Sequence, residues 1–283
     1  MTAGLLDGRD LASRLRRELR HRVERLTGLA GDVEPPCLAI LRDGASGAAA
    51  LYAASLERAA RSTGVATELI VSAGEPLDAT IERLNHDPRV AGIVIAQPFA
   101  DPVEGRRLVE LIDPAKDVDG ATPTNAGRLA RGEPAFVPAT ALAVIAILEA
   151  HDVPVAGRRA VIVGRSAVVG RPVASLLLAR DATVVICHRS TRNLARETRR
   201  AELLIAAAGS PQLIGPEMVN RSAVVVDCGI NAVDGVIVGD VAFATVAPVV
   251  RAITPVPGGI GPVTPMMVLR QTVEAAERIA GSH

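Results

Sequence analysis

The sequence predicts an α/β protein of two lobes, and two stretches of alternating strands and helices carry that prediction. The first stretch covers residues 37–98 and the second covers residues 158–230. In both, short runs of aliphatic residues alternate with segments whose apolar residues recur at helical spacing, which is typical of a parallel sheet. A long apolar helix, predicted at residues 139–153 and ended by Pro154, separates the two stretches.

The first lobe is expected to span residues 1–140. It begins with an amphipathic helix at residues 9–27. The spacing then predicts alternating strands and helices at 37–42, 47–62, 67–72, 78–86 and 91–98. Residues 99–138 are richer in Pro, Gly and Asp, which indicates loops around short elements.

The second lobe is expected to span residues 141–264. The pattern predicts strands and helices at 158–164, 170–180, 182–188, 192–200, 201–209 and 222–230. The segment at 265–280 again has helical spacing, after a loop rich in Pro and Gly. We expect residues 265–283 to pack back on the first lobe.

Composition excludes several classes of function. The 31 basic and 31 acidic side chains cancel, and only 1% of residues are aromatic, so neither an electrostatic footprint nor a stacking platform for nucleic acid is present. Cys37, Cys187 and Cys228 are odd in number and widely spaced, which argues against disulfides or a zinc site. The N-terminus does not resemble a signal peptide, and no apolar run approaches the about 20 residues of a membrane helix. We therefore expect a soluble cytoplasmic protein without membrane partners.

The segment VIVGRSAVVGRP, residues 161–172, indicates a nucleotide-binding turn between a strand and a helix. Gly164 allows a tight turn, and Gly170 allows the backbone to approach a pyrophosphate that helix amides can hold. The spacing is not GxGxxG, so an ordinary strand-to-helix turn remains the alternative.

The end of the next strand, CHRST, favours NADP over NAD. At this position a dinucleotide fold holds an acid for an unphosphorylated ribose and a basic group for a ribose phosphate. Arg189 follows the strand here, and Arg165 follows the first glycine of the turn. Either arginine alone is compatible with a solvated surface charge, but two guanidinium groups together suit a phosphate. NADP is the predicted cofactor.

Several segments resemble the bifunctional methylenetetrahydrofolate dehydrogenase/cyclohydrolase family. In the family's order and spacing, they are LDGRDLA (6–12), KDVDG (116–120), GRSAVVGRP (164–172), DCGIN (227–231), GDV (239–241) and ITPVPGGIGPVT (253–264). The resemblance implies a cleft between the lobes, with NADP on the second and a tetrahydrofolate whose pterin lies against the first. It implies hydride transfer from the folate's one-carbon bridge to NADP, opening of the methenyl ring by water, and a homodimer.

The resemblance also implies roles for individual residues. Asp119 matches the aspartate that hydrogen-bonds the pterin edge, for which a loop-capping Asp is the alternative. Gly258, Gly259 and Pro262 match the loop that borders folate and nicotinamide, for which a plain turn is the alternative. The residues assigned to cofactor binding are Gly164, Arg165, Ser166, Val169, Gly170, His188, Arg189, Ser190, Ile230 and Thr140. The surroundings of Thr140 match poorly, because alanines replace the flanking Cys and Pro of the family's Pro-Cys-Thr-Pro.

The family's active-site helix reads Tyr-x-x-x-Lys, followed by a basic residue two positions later and a glycine eight positions after the Lys. Tyr52, Arg58 and Gly64 all fall on this register, so Leu56 stands where the catalytic lysine is expected. An aliphatic side chain can neither relay a proton nor hydrogen-bond a folate nitrogen. The cyclohydrolase activity is therefore expected to be weak or lost, while hydride transfer does not require that proton relay.

The strand that ends Val-Gln-Leu-Pro in the family reads Ile95, Ala96, Gln97, Pro98 here. Because side chains alternate between the two faces of a strand, Gln97 would point to the face opposite that of the family's Gln. A one-residue shift of the chain would return it to the same face. Gln97 and Pro98 are assigned to substrate binding with Tyr52 and Asp119, and these last two are also the candidate catalytic residues beside the position of the missing lysine.

Three functions stay open at this point. The first is an NADP-linked folate dehydrogenase whose hydrolytic half is reduced or lost. The second is a dehydrogenase of a different small substrate, for which Leu56 and Ala96 make a more apolar cleft. The third is a non-catalytic NADP-binding protein. Retention of Tyr52, Asp119 and the loop at 253–264 favours the folate dehydrogenase over a dehydrogenase of another substrate. The cofactor turn is expected in all three proteins, so it does not distinguish the non-catalytic one.

Overall fold

A computed structural model describes residues 3–28, 33–44, 47–72 and 76–281 of the chain. The chain divides into two compact units. The six-stranded unit contains residues 1–12 and 138–264, and the three-stranded unit contains residues 13–137 and 265–283. Residues 282 and 283, at the end of the predicted terminal segment, lie outside the described residues.

The elements follow one another in strand–helix alternation, as expected. The strands are β1 (Gly4–Leu5), β2 (Cys37–Asp43), β3 (Ala66–Ser72), β4 (Val90–Ile95), β5 (Arg159–Val163), β6 (Thr183–Cys187), β7 (Leu203–Ala206), β8 (Val224–Asp227), β9 (Asn231–Val233), β10 (Val236–Val238) and β11 (Ala252–Ile253). The helices are α1 (Arg9–Thr27), α2 (Gly47–Thr63), α3 (Asp78–His86), α4 (Pro102–Glu110), α5 (Pro123–Ala130), α6 (Ala139–Ala150), α7 (Gly170–Leu178), α8 (Leu194–Thr198), α9 (Phe243–Val246) and α10 (Ile260–Gly281).

The three-stranded unit has a parallel sheet in the order β3-β2-β4. Every residue of β4 is buried, although β4 is an edge strand in this order. Residues 116–118 run alongside β4, and the Ile93 amide donates to the Lys116 carbonyl over 2.8 Å. The KDVDG segment is thereby fixed to the sheet.

The six-stranded unit has a parallel sheet in the order β1-β11-β8-β7-β5-β6. Its four long strands end level with one another, because Val163 pairs with both Cys187 and Ala206, and Ala206 pairs with Asp227. The segments that follow these strands therefore emerge at one edge of the sheet, where α/β proteins bind ligands. Outside this sheet, β9 and β10 form an antiparallel hairpin that the sequence did not predict.

The start of the chain differs from the expected lobe boundary of residues 1–140. β1 pairs with β11 in parallel, and its Gly4 amide donates to the Arg251 carbonyl over 2.9 Å. Residues 1–12 thus belong to the six-stranded unit. A two-residue strand carries no periodicity, so the sequence alone gave no signal for this pairing.

Two short helices lie in the segment at residues 99–138, where loops around short elements were expected. α4 begins after Asp101, whose carboxylate accepts from the Val103 amide over 2.8 Å, and α5 begins after Thr122, whose hydroxyl accepts from the Asn125 amide. A proline follows each cap. Pro and Asp are typical both of loops and of helix starts, so composition alone did not give the bounds of these short elements.

The terminal helix begins earlier than expected, at Ile260 rather than Pro265. Pro262 therefore lies in the first turn of α10, where a missing backbone N–H costs no hydrogen bond, whereas Pro265 lies inside the helix. Within the described ranges, none of the helices combines the length and the apolar character needed to cross a lipid bilayer.

Candidate active site

Tyr52 and Asp119 lie close together at the carboxyl end of the three-stranded sheet. Tyr52 is in the second turn of α2, and Asp119 follows the segment in which Asp117 pairs with Ile93 of β4. Burial, and after it the charge of Asp119, raises the pKa of the Tyr52 phenol well above its usual value of 10.0. The phenol is thus a neutral hydrogen-bonding group beside a carboxylate.

The two carboxylates of KDVDG have different environments. Asp117 is buried and accepts from the Ala121 amide (3.0 Å), the Thr122 amide (2.8 Å) and the Asn125 side-chain amide (2.9 Å). It therefore organises the loop, whereas Asp119 is only partly buried.

Leu56 lies one turn after Tyr52 on the same face of α2 and is fully buried, at 0% exposure. The chain has a single lysine, Lys116, and its Nζ donates to the carbonyls of Leu84 (2.9 Å) and Asp87 (2.7 Å). Arg58 is exposed and, two positions beyond Leu56, projects from another side of the helix. The face of α2 that carries Tyr52 is thus apolar where the resemblance implies an ammonium group.

Ala96 is fully buried and its amide donates to the Leu41 carbonyl over 2.8 Å. Gln97 is exposed, its Oε1 accepts from the Phe99 amide over 3.0 Å, and Gly105 of α4 lies close to its side-chain amide. Pro98, joined to Gln97 by a cis peptide bond, is exposed. The Gln97 amide is therefore engaged by its own loop.

Tyr52 is the only tyrosine, and the chain has no tryptophan, so a spectrophotometric titration near 295 nm reports this one phenol. We expect no tyrosinate signal from the folded protein at pH 10, because burial raises the pKa of Tyr52. Asp119→Asn should lower the pKa of Tyr52 only partly, because burial is the larger cause.

The free energy of unfolding should fall as the pH rises above about 10, since the unfolded chain then releases the phenolic proton while the folded chain keeps it. An ordinary titration midpoint in the folded protein would show that the phenol is not beside Asp119 in a buried environment.

The glycine turn of the six-stranded unit requires both of its glycines. Gly164 has φ +130, and a Cβ there would overlap the Ala207 carbonyl oxygen. A Cβ on Gly170, the first residue of α7, would overlap the Gly164 carbonyl oxygen. The chain thus turns back on itself at the start of α7, which leaves the helix N-terminus open to a phosphate.

Ser166 and Val169 complete this turn. The Ser166 hydroxyl accepts from the Val169 amide over 3.1 Å, and the Gly170 amide lies 3.5 Å away. Ser166 is exposed and Val169 is partly buried. The hydroxyl therefore shapes the turn before α7.

Arg165 and Arg189 are both exposed and follow the adjacent strands β5 and β6 at the same edge of the sheet. The turn after β6 is held by His188, whose amide donates to the Thr191 hydroxyl over 2.8 Å and whose Nδ1 accepts from the Ser190 amide over 3.2 Å. Ser190 is exposed beside Arg189. Two guanidinium groups and a hydroxyl are thus exposed at this edge of the sheet.

The loop after β8 carries Ile230, which is 70% exposed. Asp227 ends β8 and accepts from the amides of Gly229 (2.8 Å), Asp240 (3.0 Å) and Val241 (2.9 Å). Burial raises the pKa of Asp227 to about 6, although these amide donors oppose the shift. Ile230 is thus presented by a tightly bonded loop.

The remaining predicted residues of this unit lie in two other segments. Thr140 is in the first turn of α6 and is partly buried. Gly258 and Gly259 are buried before α10; Gly258 has φ +121, and its carbonyl accepts from the Gly8 amide over 2.9 Å. The Arg9 guanidinium occupies the space that a Gly258 side chain would need. Sequence reasoning did not assign Arg9, although it lies within the quoted LDGRDLA segment.

Two family models match the chain along most of its length. The model of the tetrahydrofolate dehydrogenase/cyclohydrolase catalytic domain matches residues 6–119, and that of the same family's NAD(P)-binding domain matches residues 138–280. The chain belongs to the tetrahydrofolate dehydrogenase/cyclohydrolase family. The predicted family and α/β fold class are thereby confirmed.

Curated relatives and solved structures agree with this family. The bifunctional protein FolD of Parafrankia sp. (strain EAN1pec) is 46% identical over 276 residues, which cover 96% of this chain and 98% of the relative. The FolD dehydrogenase/cyclohydrolase structure from Campylobacter jejuni is 39% identical with a TM-score of 0.93, and the match covers 98% of this chain and 99% of that one. The Trypanosoma brucei enzyme, solved with NADP and an inhibitor, is 32% identical with a TM-score of 0.93 and 98% of each chain covered.

The prediction of NADP is confirmed by the match to the family's NAD(P)-binding domain. The six-stranded unit also fits the cofactor chemically. Its Gly164 and Gly170 leave no room for a Cβ, as a turn that approaches a pyrophosphate requires, and the exposed guanidinium groups of Arg165 and Arg189 would suit a 2′-phosphate.

Arg189→Ala and Arg165→Ala should each weaken NADP binding by about 10- to 100-fold, because in its predicted role each guanidinium makes a charge-assisted hydrogen bond to the 2′-phosphate. Binding of NAD should change little. Thermal shifts at graded concentrations of the two cofactors measure both affinities. Arg221→Ala is the control, since this exposed arginine precedes β8 at the other end of the strand. Equal loss of NAD and NADP affinity would contradict the assignment to the 2′-phosphate.

Proposed function

We propose that this protein is an NADP-dependent methylenetetrahydrofolate dehydrogenase whose cyclohydrolase activity is weak or absent. The observation that carries the second half of the proposal is Leu56, fully buried one turn from Tyr52 where the resemblance implies a lysine. Family membership and the bifunctional relatives support the first half.

The three-stranded unit would bind the pterin end of the folate. In this proposal, Asp119 accepts hydrogen bonds from the pterin edge, and the neutral Tyr52 phenol packs beside the ring as a donor. The glycine turn and the two arginines of the six-stranded unit would hold NADP, which would supply the acceptor for the hydride of the one-carbon bridge. The protein contributes orientation to this step, which needs no titratable group at position 56.

Ring opening by water makes a different demand. A proton must leave the attacking water and another must reach a folate nitrogen, so a titratable group is required within reach. Leu56 and Ala96 are buried and apolar, and the Nζ of Lys116 is bonded to two carbonyls elsewhere in the unit. The expected consequence is that the methenyl product is released without enzymatic hydrolysis.

Two other functions compete with this one. A dehydrogenase of another small substrate would not need Tyr52 and Asp119 together, and the fully buried side chains of Leu56 and Ala96 offer it no apolar surface. A non-catalytic NADP-binding protein would retain the glycine turn alone. The pairing of Tyr52 with Asp119 favours the folate dehydrogenase.

The deciding experiment supplies methylenetetrahydrofolate and NADP to the purified protein and records NADPH absorbance. We expect NADPH to form and methenyltetrahydrofolate to accumulate. No NADPH at any substrate concentration would remove the dehydrogenase proposal. Decay of added methenyltetrahydrofolate above the buffer rate, followed in the near ultraviolet, would contradict the loss of cyclohydrolase activity.

We also propose a homodimer. In the order β3-β2-β4, β3 is an edge strand, and it exposes Leu69 (38%) and Val71 (43%). An edge strand with apolar side chains is a common site of association. Sedimentation at the monomer mass over the whole accessible concentration range would refute this.

A further inference from the structure

Asp240, which immediately precedes Val241 in the quoted GDV segment, joins two loops at the carboxyl edge of the six-stranded sheet. Its carboxylate is fully buried. Oδ2 accepts from the amides of Ala208 (2.6 Å) and Gly209 (2.9 Å), and Oδ1 accepts from the Ser210 amide (3.0 Å) and the Asn231 side-chain amide (2.9 Å). Three consecutive amides after β7 thus converge on one side chain, which also holds the loop after β8.

Asp227 fixes the backbone that carries Asp240. Its carboxylate accepts from the amides of Asp240 and Val241, and a Cβ on Gly239 would overlap Asp227 Oδ2. The position of the Asp240 side chain is therefore determined by a second buried carboxylate, and both loops are set by this pair.

The loop after β7 also touches the glycine turn. The Ala207 amide donates to the Val163 carbonyl over 2.8 Å, and the Ala207 carbonyl oxygen fills the place of a Gly164 side chain. Asp240 thus holds a loop that directly contacts the glycine turn at Gly164.

The strand order assigns this loop to one half of the cofactor. Arg165 and Arg189 follow β5 and β6, where the phosphorylated adenosine half is expected. A dinucleotide lies across the point at which the strand order reverses, here between β5 and β7. The nicotinamide half is then expected over the loops after β7 and β8, which are the loops that Asp240 joins.

We propose that Asp240 is a positioning residue for the nicotinamide half of NADP, acting through the loop at residues 207–210 and through Asn231. This inference rests on the proposed function, because it takes NADP as the bound cofactor. Asp240 itself is buried and donates nothing to the cofactor. Its effect is to hold the loops after β7 and β8 in a single arrangement against which the nicotinamide end can be oriented.

The test compares two ligands on the full chain by isothermal titration calorimetry: NADP, and 2′,5′-ADP, which has only the phosphorylated adenosine half. In Asp240→Asn, one carboxylate oxygen becomes an NH₂ group that faces N–H donors. The hydrogen bonds that this oxygen accepted are then lost, and the loop that they held is no longer fixed. We expect the dissociation constant for NADP to rise at least about tenfold, the effect of losing one hydrogen bond to a charged group, while that for 2′,5′-ADP stays within about twofold. Asp234→Asn, the same substitution in the exposed turn between β9 and β10, should leave both constants unchanged.

A second variant keeps the inference testable if Asp240→Asn does not fold. Asn231→Ala removes only the bond between Asp240 and the loop after β8, and should weaken NADP binding by about threefold to tenfold with 2′,5′-ADP unaffected. Unchanged NADP affinity in the folded variants would overturn the inference. An equal loss of affinity for NADP and for 2′,5′-ADP would also overturn the inference, since Asp240 would then have a general structural role. Wild-type protein that binds 2′,5′-ADP and NADP but does not oxidise methylenetetrahydrofolate would instead refute the proposed function.

Discussion

Leu56→Lys combined with Ala96→Gln is expected to raise the rate of methenyltetrahydrofolate hydrolysis by about 10²–10⁴-fold, the usual contribution of a positioned acid–base group. The reason is geometric, because position 56 lies one turn from Tyr52 on the same face of α2, and position 96 immediately follows β4. Burial of Leu56 also helps, since a lysine placed there has a lowered pKa and exchanges protons near neutral pH. The measurement is the decay of the near-ultraviolet methenyl band, with NADP reduction followed in parallel.

Leu51→Lys is the matched control for this gain. It makes the same substitution on the same helix, five residues earlier, at a side chain that is 74% exposed. It should leave hydrolysis at the buffer rate. The Tyr52 titration gives a second readout, because an ammonium one turn away should lower the pKa of the phenol. An unchanged hydrolysis rate together with a lowered pKa of Tyr52 would mean that the amine is in place and that ring opening depends on another group.

Gly164→Ala is expected to abolish measurable NADP binding and to lower the free energy of unfolding by about 2–5 kcal/mol. Two costs combine at this position. The φ of +130 is strained for any residue with a side chain, and the added methyl group would overlap the Ala207 carbonyl oxygen. The loop after β7 must then move away from the turn. Chemical denaturation measures the first effect and calorimetry with NADP measures the second.

Gly157→Ala separates the two costs. Gly157 also has a positive φ, +72, but a Cβ there meets nothing within 4 Å. It should cost only the backbone penalty, about 1–2 kcal/mol, and should leave NADP binding intact. If both variants lose the same stability and both bind NADP, the contact with Ala207 does not shape the cofactor turn.

The sequence was informative wherever a long element has a clear period. The alternation of β2 to β4 with their helices, and of β5 to β8 with α7 and α8, follows from runs of aliphatic residues and helical spacing. The pairing of β1 with β11 and the hairpin of β9 and β10 were missed. Strands of two or three residues carry no pattern, and their pairing is decided by tertiary contacts.

The candidate site divides in the same way. Motif spacing located Tyr52, Asp119 and Gly164, because chemistry or backbone conformation restricts the residue type at each. It gave no sign that Asp117 organises a loop while Asp119 stays partly exposed, since both are aspartates in one short motif. The bonding of Asp240 to residues 208–210 was likewise invisible, because it joins segments about thirty positions apart. Such roles depend on which side chain becomes buried.

Lys116 is the only side chain of this protein that can react as a primary amine. All but one of its 31 basic side chains are arginine, whose guanidinium groups do not react as amines. The one lysine ammonium donates to the carbonyl of Leu84, in the last turn of α3, and to that of Asp87, which follows the helix. An acylating reagent can modify this side chain only after those bonds open, so its rate of labelling would report the local opening of the segment between α3 and β4.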